Sequence, residues 1–257
     1  KLVYEAMKKA KELNVPLSFH EEDPAFISEN GINAGAVAKE LGITGSPALA
    51  EDSLVARDCM IALHTGASVN IQHISSATSV KVVKLAKELG ANVTAEVTPH
   101  HFTLDETAVL EHGAMAKMNP PLRTAKDREG IIEGIKDGSI DMIATDHAPH
   151  SREEKSKGLS GSAMGIVGLE TAFPLLYTEL VKPGVISMER LMELLHDAPC
   201  RRFNIPTDTG FTVFALNDTY RIDPADFLSM GKATPFTGWE VQGRCLLTAA
   251  GETAVWY

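Results

Sequence analysis

Blocks of apolar residues along the chain alternate between helical spacing and short continuous runs, which predicts helices and strands in turn. In residues 1–13 the apolar positions Leu2, Ala6, Ala10 and Leu13 fall on one face of a helix. Short apolar runs predict buried strands at residues 15–19, 68–74, 92–97 and 139–145. Strands that alternate with helices favour a parallel sheet with right-handed crossovers.

Helices are predicted between and after these strands, at residues 32–41, 47–64, 79–89, 105–111, 124–136, 169–181 and 187–196. Ser46 is expected to cap the second of them, with Pro47 as its first residue, and Thr124 to cap the fifth. From Phe211 onward the pattern changes to short β-like segments separated by glycines, which predicts a small β-subdomain.

Four strands are half the number that a closed (β/α)8 barrel requires within about 250 residues. A half barrel exposes two apolar sheet edges, and the chain begins at Lys1 inside a helix without an N-cap. We therefore expect residues 1–205 to form the C-terminal half of a (β/α)8 TIM-type barrel. Residues 206–257 are expected to form part of a small β-subdomain that a missing N-terminal region completes.

Ionisable side chains stand at the ends of three predicted strands: His20, His73 and Asp146. In parallel α/β architectures the chemistry lies at the carboxyl ends of the strands, so we expect these side chains to converge. Imidazole nitrogen and carboxylate oxygen are ligands that Zn²⁺ and similar ions prefer. The three residues are therefore predicted to bind a metal ion.

Charge, cysteine content and hydropathy exclude several function classes. With a net charge of −10, the chain is not expected to bind nucleic acid. The cysteines, Cys59, Cys200 and Cys245, are few and far apart, which favours a reducing compartment and predicts a cytoplasmic protein. No apolar run is long enough to cross a bilayer, so no membrane partner is expected.

Several motifs resemble the dihydroorotases of the amidohydrolase superfamily, most closely the bacterial class I type. They are Ala-Thr-Asp-His-Ala-Pro-His at 144–150, Ile-Gln-His-Ile-Ser-Ser at 71–76, Leu-Ser-Phe-His at 17–20, Lys-Met-Asn-Pro-Pro-Leu-Arg at 117–123, Thr-Pro-His-His at 98–101, Gly-Ile-Val-Gly-Leu-Glu-Thr at 165–171 and Phe-Leu-Ser-Met-Gly-Lys-Ala-Thr-Pro-Phe at 227–236. Their order and spacing extend the resemblance over nearly the whole chain.

The resemblance implies a metal-dependent cyclic amidohydrolase that carries one or two Zn²⁺ ions. The reaction is the reversible cyclisation of N-carbamoyl-L-aspartate to L-dihydroorotate in de novo pyrimidine biosynthesis. His20, His73 and Asp146 fall on metal-ligand positions of the family, and Asp146 is also expected to shuttle the proton. The substrate-binding positions are Asn119, His150, Met164 and Gly165, the last two through their main chain.

The chain also departs from the family pattern. The His-x-His pair of the first strand, the ligand that bridges the metals and the early substrate-binding residues are absent from this sequence, and all would precede Lys1. We therefore expect these 257 residues alone to bind metal weakly and not to turn over substrate. The resemblance also implies a homodimer, with aspartate transcarbamoylase as a further candidate partner.

Two other functions stay open at this stage. One is a different cyclic amidohydrolase, such as an allantoinase or a dihydropyrimidinase, although His150 favours a substrate with a carboxylate. The other is a non-catalytic partner of aspartate transcarbamoylase, against which the three retained ligand-type residues argue.

Other polar residues near the predicted strand ends have simpler interpretations. The acidic run 21–23 is expected to form a solvated loop, and His147 is expected to pack outside the ligand set. For Arg123, an anchor for a carboxylate and an ion pair that supports its loop are both open. The pair His100 and His101 is expected to pack at a strand end, with support of the metal ligands as the alternative.

Overall fold

Two sheets organise the computed structural model, which describes residues 1–207 and 210–257. The strands are β1 (Leu17–Phe19), β2 (Val69–Ile71), β3 (Val93–Val97), β4 (Met142–Ile143), β5 (Phe211–Arg221), β6 (Glu240–Ala250) and β7 (Thr253–Trp256). The first four form a parallel sheet in the order β1-β2-β3-β4. The last three form an antiparallel sheet in the order β5-β6-β7.

Helices connect the parallel strands and continue beyond them. The α-helices are Leu2–Leu13, Ala36–Leu41, Leu49–Thr65, Ala77–Glu88, Pro99–Thr103, Ala108–His112, Ala125–Asp137, Arg152–Lys155, Gly158–Gly161, Ala172–Leu176, Met188–Met192 and Ala198–Phe203. Single π-helical turns follow at Tyr177–Val181 and Glu193–Asp197, and 3-10 turns lie at Pro24–Phe26, Gly113–Ala116 and Pro224–Asp226. Among the described residues no helix has the length and apolar character needed to span a bilayer.

The sequence predicted an α/β fold with a parallel sheet, and the structure confirms it. Each of these strands pairs in parallel with the next one along the chain, and helices lie in the connections, as parallel pairing requires. β4, at the edge of the sheet, is shorter than its predicted run of residues 139–145. There the Asp141 carboxylate, rather than a strand carbonyl, accepts a hydrogen bond from the Ala95 N–H at 2.8 Å.

Burial of apolar side chains between the parallel sheet and its helices forms the main core. A second apolar cluster joins the last quarter of the chain to the rest, because Phe236 and Val241 pack in one cluster with Ile166. The division into residues 1–205 and 206–257 stays a prediction.

The expected helix cap at Ser46 is wrong. The helix begins at Leu49 with Ala48 as N-cap, and the Ser46 hydroxyl instead donates to the Glu22 carboxylate at 3.1 Å. The expected cap at Thr124 is confirmed, since its side chain accepts from the N–H of Asp127 in a capping box.

Gly134 allows the helix Ala125–Asp137 to lie close to its neighbours. A Cβ atom at this position would lie 2.6 Å from Val80 Cγ1 and 3.2 Å from Ile140 Cδ1. Both distances are shorter than ordinary van der Waals contact, so the close packing of this helix depends on the absence of a side chain here.

Replacing Gly134 with alanine should therefore destabilise the fold. In an exposed helix this change is favourable by about 1 kcal/mol, but here overpacking should reverse the sign and cost about 1–3 kcal/mol. Urea denaturation measures the free energy of unfolding. Lys126→Ala, on an exposed part of the same helix, is the control and should stay within about 0.5 kcal/mol; a Gly134→Ala variant as stable as the control would contradict the packing argument.

Candidate active site

Three predicted site residues lie where the strands of the parallel sheet end. His20 directly follows β1, His73 lies two residues beyond β2, and Asp146 lies three residues beyond β4. Parallel strands point their carboxyl ends the same way, so all three residues belong to one edge of the sheet, hereafter the carboxyl edge. His73 and Asp146 both have positive φ, 32° and 47°, which is unfavourable for residues with a side chain and is found preferentially at functional sites.

His20 and His73 contact each other directly. The Nδ1 atom of His20 lies 3.0 Å from the Nε2 atom of His73, and the rings meet edge to face. Burial, followed by the charge of His20, lowers the pKa of His73 to about 4. The His73 imidazole is therefore neutral near pH 7, which is the form that binds metal ions.

Asn119 joins this histidine pair from the loop after the turn Gly113–Ala116. Its Nδ2 donates to the Glu22 carboxylate at 2.6 Å and lies 3.3 Å from His20 Nε2. If the second amide N–H is given to His20 Nε2, that nitrogen is an acceptor, so His20 Nδ1 carries the proton that faces His73. Asn119 Oδ1 is buried and has no hydrogen-bond partner among the described residues.

Glu22 is a site residue that the sequence interpretation missed. Only 5% of its side chain is exposed, and its Oε2 lies 3.6 Å from His20 Nε2. Burial alone would raise the pKa of Glu22, but the nearby His20 ring and the hydrogen bonds from Asn119 and Ser46 lower it below its usual value. Glu22 is thus a buried carboxylate that holds two predicted site residues together.

Glu21 is also buried, so the expectation of a solvated acidic loop at 21–23 is wrong. Burial and the neighbouring carboxyl group of Asp58 raise the pKa of Glu21 to about 8. Two adjacent carboxyl groups of this kind are accommodated when one of them keeps its proton. Arg57 forms two hydrogen bonds to Asp58, at 2.6 and 2.9 Å.

The Asp146 carboxyl group is desolvated at the end of β4. Burial raises its pKa, and the charge of His20 acts in the opposite direction. A carboxyl group whose pKa lies above its usual value can accept and return a proton nearer to neutral pH than an exposed one.

A metal ion that displaced the proton between them would find two converging nitrogens here, Nδ1 of His20 and Nε2 of His73. They are half of the four ligands of a tetrahedral zinc site. Within residues 1–207 and 210–257 no group of three or more histidine, cysteine, aspartate or glutamate side chains is placed to hold a metal. The ligand set of His20, His73 and Asp146 therefore stays a prediction, of which the structure brings together the two histidines.

His101 anchors the loop that carries Asn119. Its Nε2–H donates to the Pro120 carbonyl at 3.0 Å, and its Nδ1 accepts from the Thr98 hydroxyl at 2.8 Å. Burial lowers the pKa of His101 to about 3, so the ring stays neutral. His101 thereby fixes the position of the peptide next to Asn119. The side chain of the neighbouring His100 is also buried, as a strand-end packing role requires.

The other predicted substrate residues form a second cluster. His150 Nε2–H donates to the Met164 carbonyl at 2.7 Å, and the Gly165 N–H donates to the Lys117 carbonyl at 3.0 Å. Gly165 has a φ of 120°, and a Cβ atom there would lie under 3.0 Å from Ala148. Only glycine meets both conditions, so the segment around Gly165 lies flat against the chain that leads from Asp146 to His150.

His147 and Arg123 support the loops of the site. His147 Nδ1 accepts from the Gly168 N–H at 3.1 Å, which fits a packing role outside the ligand set. Arg123 is buried, and its guanidinium donates to Ser75 Oγ at 3.0 Å and to the Ser46 carbonyl at 2.6 Å. Of the two interpretations of Arg123, these contacts favour support of the loops.

The chain is similar to known proteins over most of its length. The family model described as dihydro-orotase-like matches residues 1–79. The dihydroorotase of Clostridioides difficile (strain 630) is 51% identical over 250 residues, which are 95% of this chain and 59% of that protein. The dihydroorotase of Pediococcus pentosaceus is 45% identical over 254 residues, or 96% of this chain and 60% of that protein. Over nearly its whole length, the chain is similar to these dihydroorotases.

The chain spans about three fifths of the length of these curated relatives. Its fold is similar to that of the L-hydantoinase (dihydropyrimidinase) from Arthrobacter aurescens, with a TM-score of 0.88, 24% identity, and coverage of 98% of this chain and 59% of that one. The dihydropyrimidinase from Brevibacillus agri NCHU1002 gives a TM-score of 0.85 at 20% identity, covering 96% of this chain and 58% of that one. At these identities the likeness shows a shared fold.

Acid should destabilise the fold partly through His101. Its pKa is about 3 in the folded protein, whereas an unperturbed histidine has a pKa of 6.5, so the unfolded chain binds more protons between these values. The free energy of unfolding should therefore fall as the pH drops from about 6.5 towards 3, by at most about 1.4 kcal/mol per pH unit from this one group.

His101→Gln keeps an N–H for the Pro120 carbonyl but cannot titrate. Urea denaturation between pH 7 and pH 4 should show a shallower loss of stability in this variant than in the unmodified protein. The exposed His196, replaced by glutamine, is the control and should leave the slope unchanged. Equal slopes for all three proteins would mean that the buried His101 is not a source of acid sensitivity.

Proposed function

We propose that this chain carries active-site residues of a dihydroorotase, which interconverts N-carbamoyl-L-aspartate and L-dihydroorotate in de novo pyrimidine biosynthesis. The observation that carries the proposal is the identity of 43–51% with dihydroorotases over 95% or more of this chain. The placement of His20, His73 and Asp146 at one sheet edge supports it.

One or two Zn²⁺ ions are proposed as the cofactor, with His20, His73 and Asp146 as the ligands that this chain contributes. The 3.0 Å approach of the two ring nitrogens and the neutral state of His73 support this assignment. Zn²⁺ bound there would lower the pKa of a water molecule towards neutrality, so that a hydroxide nucleophile is available.

Asp146 is proposed as the general base and acid. In the hydrolytic direction the nucleophile attacks the ring amide carbonyl of dihydroorotate, and the Asp146 carboxylate accepts the proton of the nucleophile. The same carboxyl group then donates that proton to the ring nitrogen as the carbon–nitrogen bond breaks. Its desolvation, which raises the pKa, supports both halves of this transfer.

Asn119 and the His150 cluster are proposed to bind the substrate. The buried and unpartnered Oδ1 of Asn119 supports this role, because an unpaired buried acceptor is costly until an N–H group reaches it. Dihydroorotate carries ring N–H groups of this kind. His150, Met164 and Gly165 are proposed to contact the ring and its carboxylate.

The wider setting is also proposed. The four consecutive parallel strands are consistent with one half of a (β/α)8 barrel, and the antiparallel sheet with part of a small β-subdomain. A cytoplasmic location, a homodimeric state and an association with aspartate transcarbamoylase complete the proposal. The three cysteines are free, as the proposed reducing compartment requires.

A second candidate is the hydrolysis of hydantoins or dihydropyrimidines, because the solved structures that share this fold are named for that activity. The full-length protein that contains this chain should hydrolyse L-dihydroorotate and leave hydantoin, dihydrouracil and allantoin intact. Asp146→Asn should lower kcat for dihydroorotate by about 10²–10⁴, the usual contribution of a positioned acid–base group.

Steady-state assays on the four substrates separate the candidates. Asp197→Asn, at an exposed carboxyl group, is the matched control and should retain full activity. Preference for hydantoin or dihydrouracil would replace the proposed function by the second candidate. A rate close to that of the unmodified protein in Asp146→Asn would remove the proton-transfer role.

The metal assignment has a separate test. His73→Ala should weaken Zn²⁺ binding by more than about tenfold, since even the loss of an outer hydrogen-bond partner costs about 10–100-fold in zinc affinity. Elemental analysis after equilibrium dialysis measures the zinc bound per chain. His196→Ala, which changes an exposed histidine, should bind as much zinc as the unmodified protein; an unchanged stoichiometry in His73→Ala would exclude it as a ligand.

A further inference from the structure

Two lysine side chains, Lys117 and Lys155, lie buried beside the His150 cluster, with only 4% and 3% of their surface exposed. Lysine is almost never fully buried unless its charge is paired. Lys155 Nζ donates to the main-chain carbonyls of Lys117 at 3.2 Å, Ala163 at 3.0 Å and Gly165 at 2.9 Å. An ammonium group has three N–H donors, so all three are used.

Lys117 makes similar contacts with the short helix Gly158–Gly161 and the residue that follows it. Its Nζ donates to the carbonyls of Ser160 at 3.1 Å and Ser162 at 3.0 Å. Burial lowers the pKa of both lysines, that of Lys155 to about 8, with the charge of Lys117 as the second cause. Burial of two ammonium groups is unfavourable, so the five carbonyls that receive their hydrogen bonds must be held in place for the arrangement to persist.

Lys155 lies where the segments that carry His150, Asn119 and Met164 meet. It ends the short helix that follows His150. Its acceptor on Lys117 lies two residues before Asn119, and its other acceptors flank Met164. One ammonium group therefore connects all three segments that contain the proposed substrate-binding residues.

These contacts leave one main-chain donor in residues 163–165 for a ligand. Lys155 occupies the carbonyls of Ala163 and Gly165, His150 occupies that of Met164, and the Gly165 N–H donates to Lys117. The Met164 N–H forms no hydrogen bond within the part of the chain that the structure describes. A carbonyl oxygen on the ligand ring is the matching group.

We propose that Lys155, assisted by Lys117, is a positioning residue that fixes residues 163–165 so that the Met164 N–H is presented to a ring carbonyl of the substrate. The proposal rests on the proposed function for its substrate, a cyclic ureide that carries a carbonyl acceptor. The residue contributes through the main chain and does not contact the reacting atoms.

The test replaces Lys155 with methionine, which has a similar length and no donors, in the full-length protein that contains this chain. The control is Lys157→Met, at an exposed lysine of the same loop. The KM for L-dihydroorotate should rise by about tenfold or more in Lys155→Met, because three hydrogen bonds from a charged group are lost, while kcat changes by less than about threefold. Lys157→Met should leave both constants unchanged.

Amide hydrogen exchange supplies a readout that does not require turnover. The peptide covering residues 158–166 should exchange faster in Lys155→Met than in the unmodified protein, and Lys157→Met should not differ. If no protein hydrolyses dihydroorotate, the proposed function fails, and exchange still decides whether Lys155 orders the segment. An unchanged KM together with unchanged exchange would overturn the positioning role.

Lys117→Met is the comparison variant that distinguishes a specific effect from a general loss of folding. It removes the two bonds to Ser160 and Ser162 and leaves those of Lys155, so KM should rise by a smaller factor, about threefold. A Lys155→Met protein with a lowered melting temperature, normal KM and normal exchange at 158–166 would show a purely structural role. That result would also overturn the proposal.

Discussion

Parallel pairing of β1 to β4 is the constraint on which the rest of the molecule depends, because it places the carboxyl end of every one of these strands at the same edge of the sheet. The strands are only two to five residues long, and their ends carry the site. Residues separated by more than fifty positions, such as His20 and His73, thereby come within 3.0 Å. The helices packed against this sheet supply the apolar core that holds the strands in register. The arrangement of the site therefore follows from the packing of the sheet.

Desolvation is the second factor that shapes the carboxyl edge. It keeps the rings of His73 and His101 neutral and raises the proton affinity of the Asp146 carboxyl group. The same effect disfavours the charges on Glu22 and Lys155, which are retained only because each has several hydrogen-bond partners. The same desolvated environment therefore contains neutral groups suited to ligand binding and charged groups that organise the loops. The hydrogen-bond partners of each side chain decide which of the two it becomes.

Much of the fold and part of the site were predictable from the sequence, since both leave local patterns. Apolar runs located the four strands, and ionisable residues at their ends located His20 and His73. Glu22 was not predictable, because its burial results from contacts with Ser46 and Asn119, which are distant in sequence. Lys155 lies in a polar stretch that looks solvated, and the carbonyls that receive its hydrogen bonds become visible only in three dimensions. Contacts of this kind carry no periodic signal along the chain.

The close approach of Gly165 to Ala148 has an evolutionary consequence. Neither position has room for a larger side chain unless the other backbone segment moves, since even one added carbon at Gly165 would overlap the Ala148 methyl group. Small residues should therefore be retained at both sites among homologues. Libraries designed to broaden ligand preference near His150 would do better to diversify Met164, whose side chain is not confined by this contact.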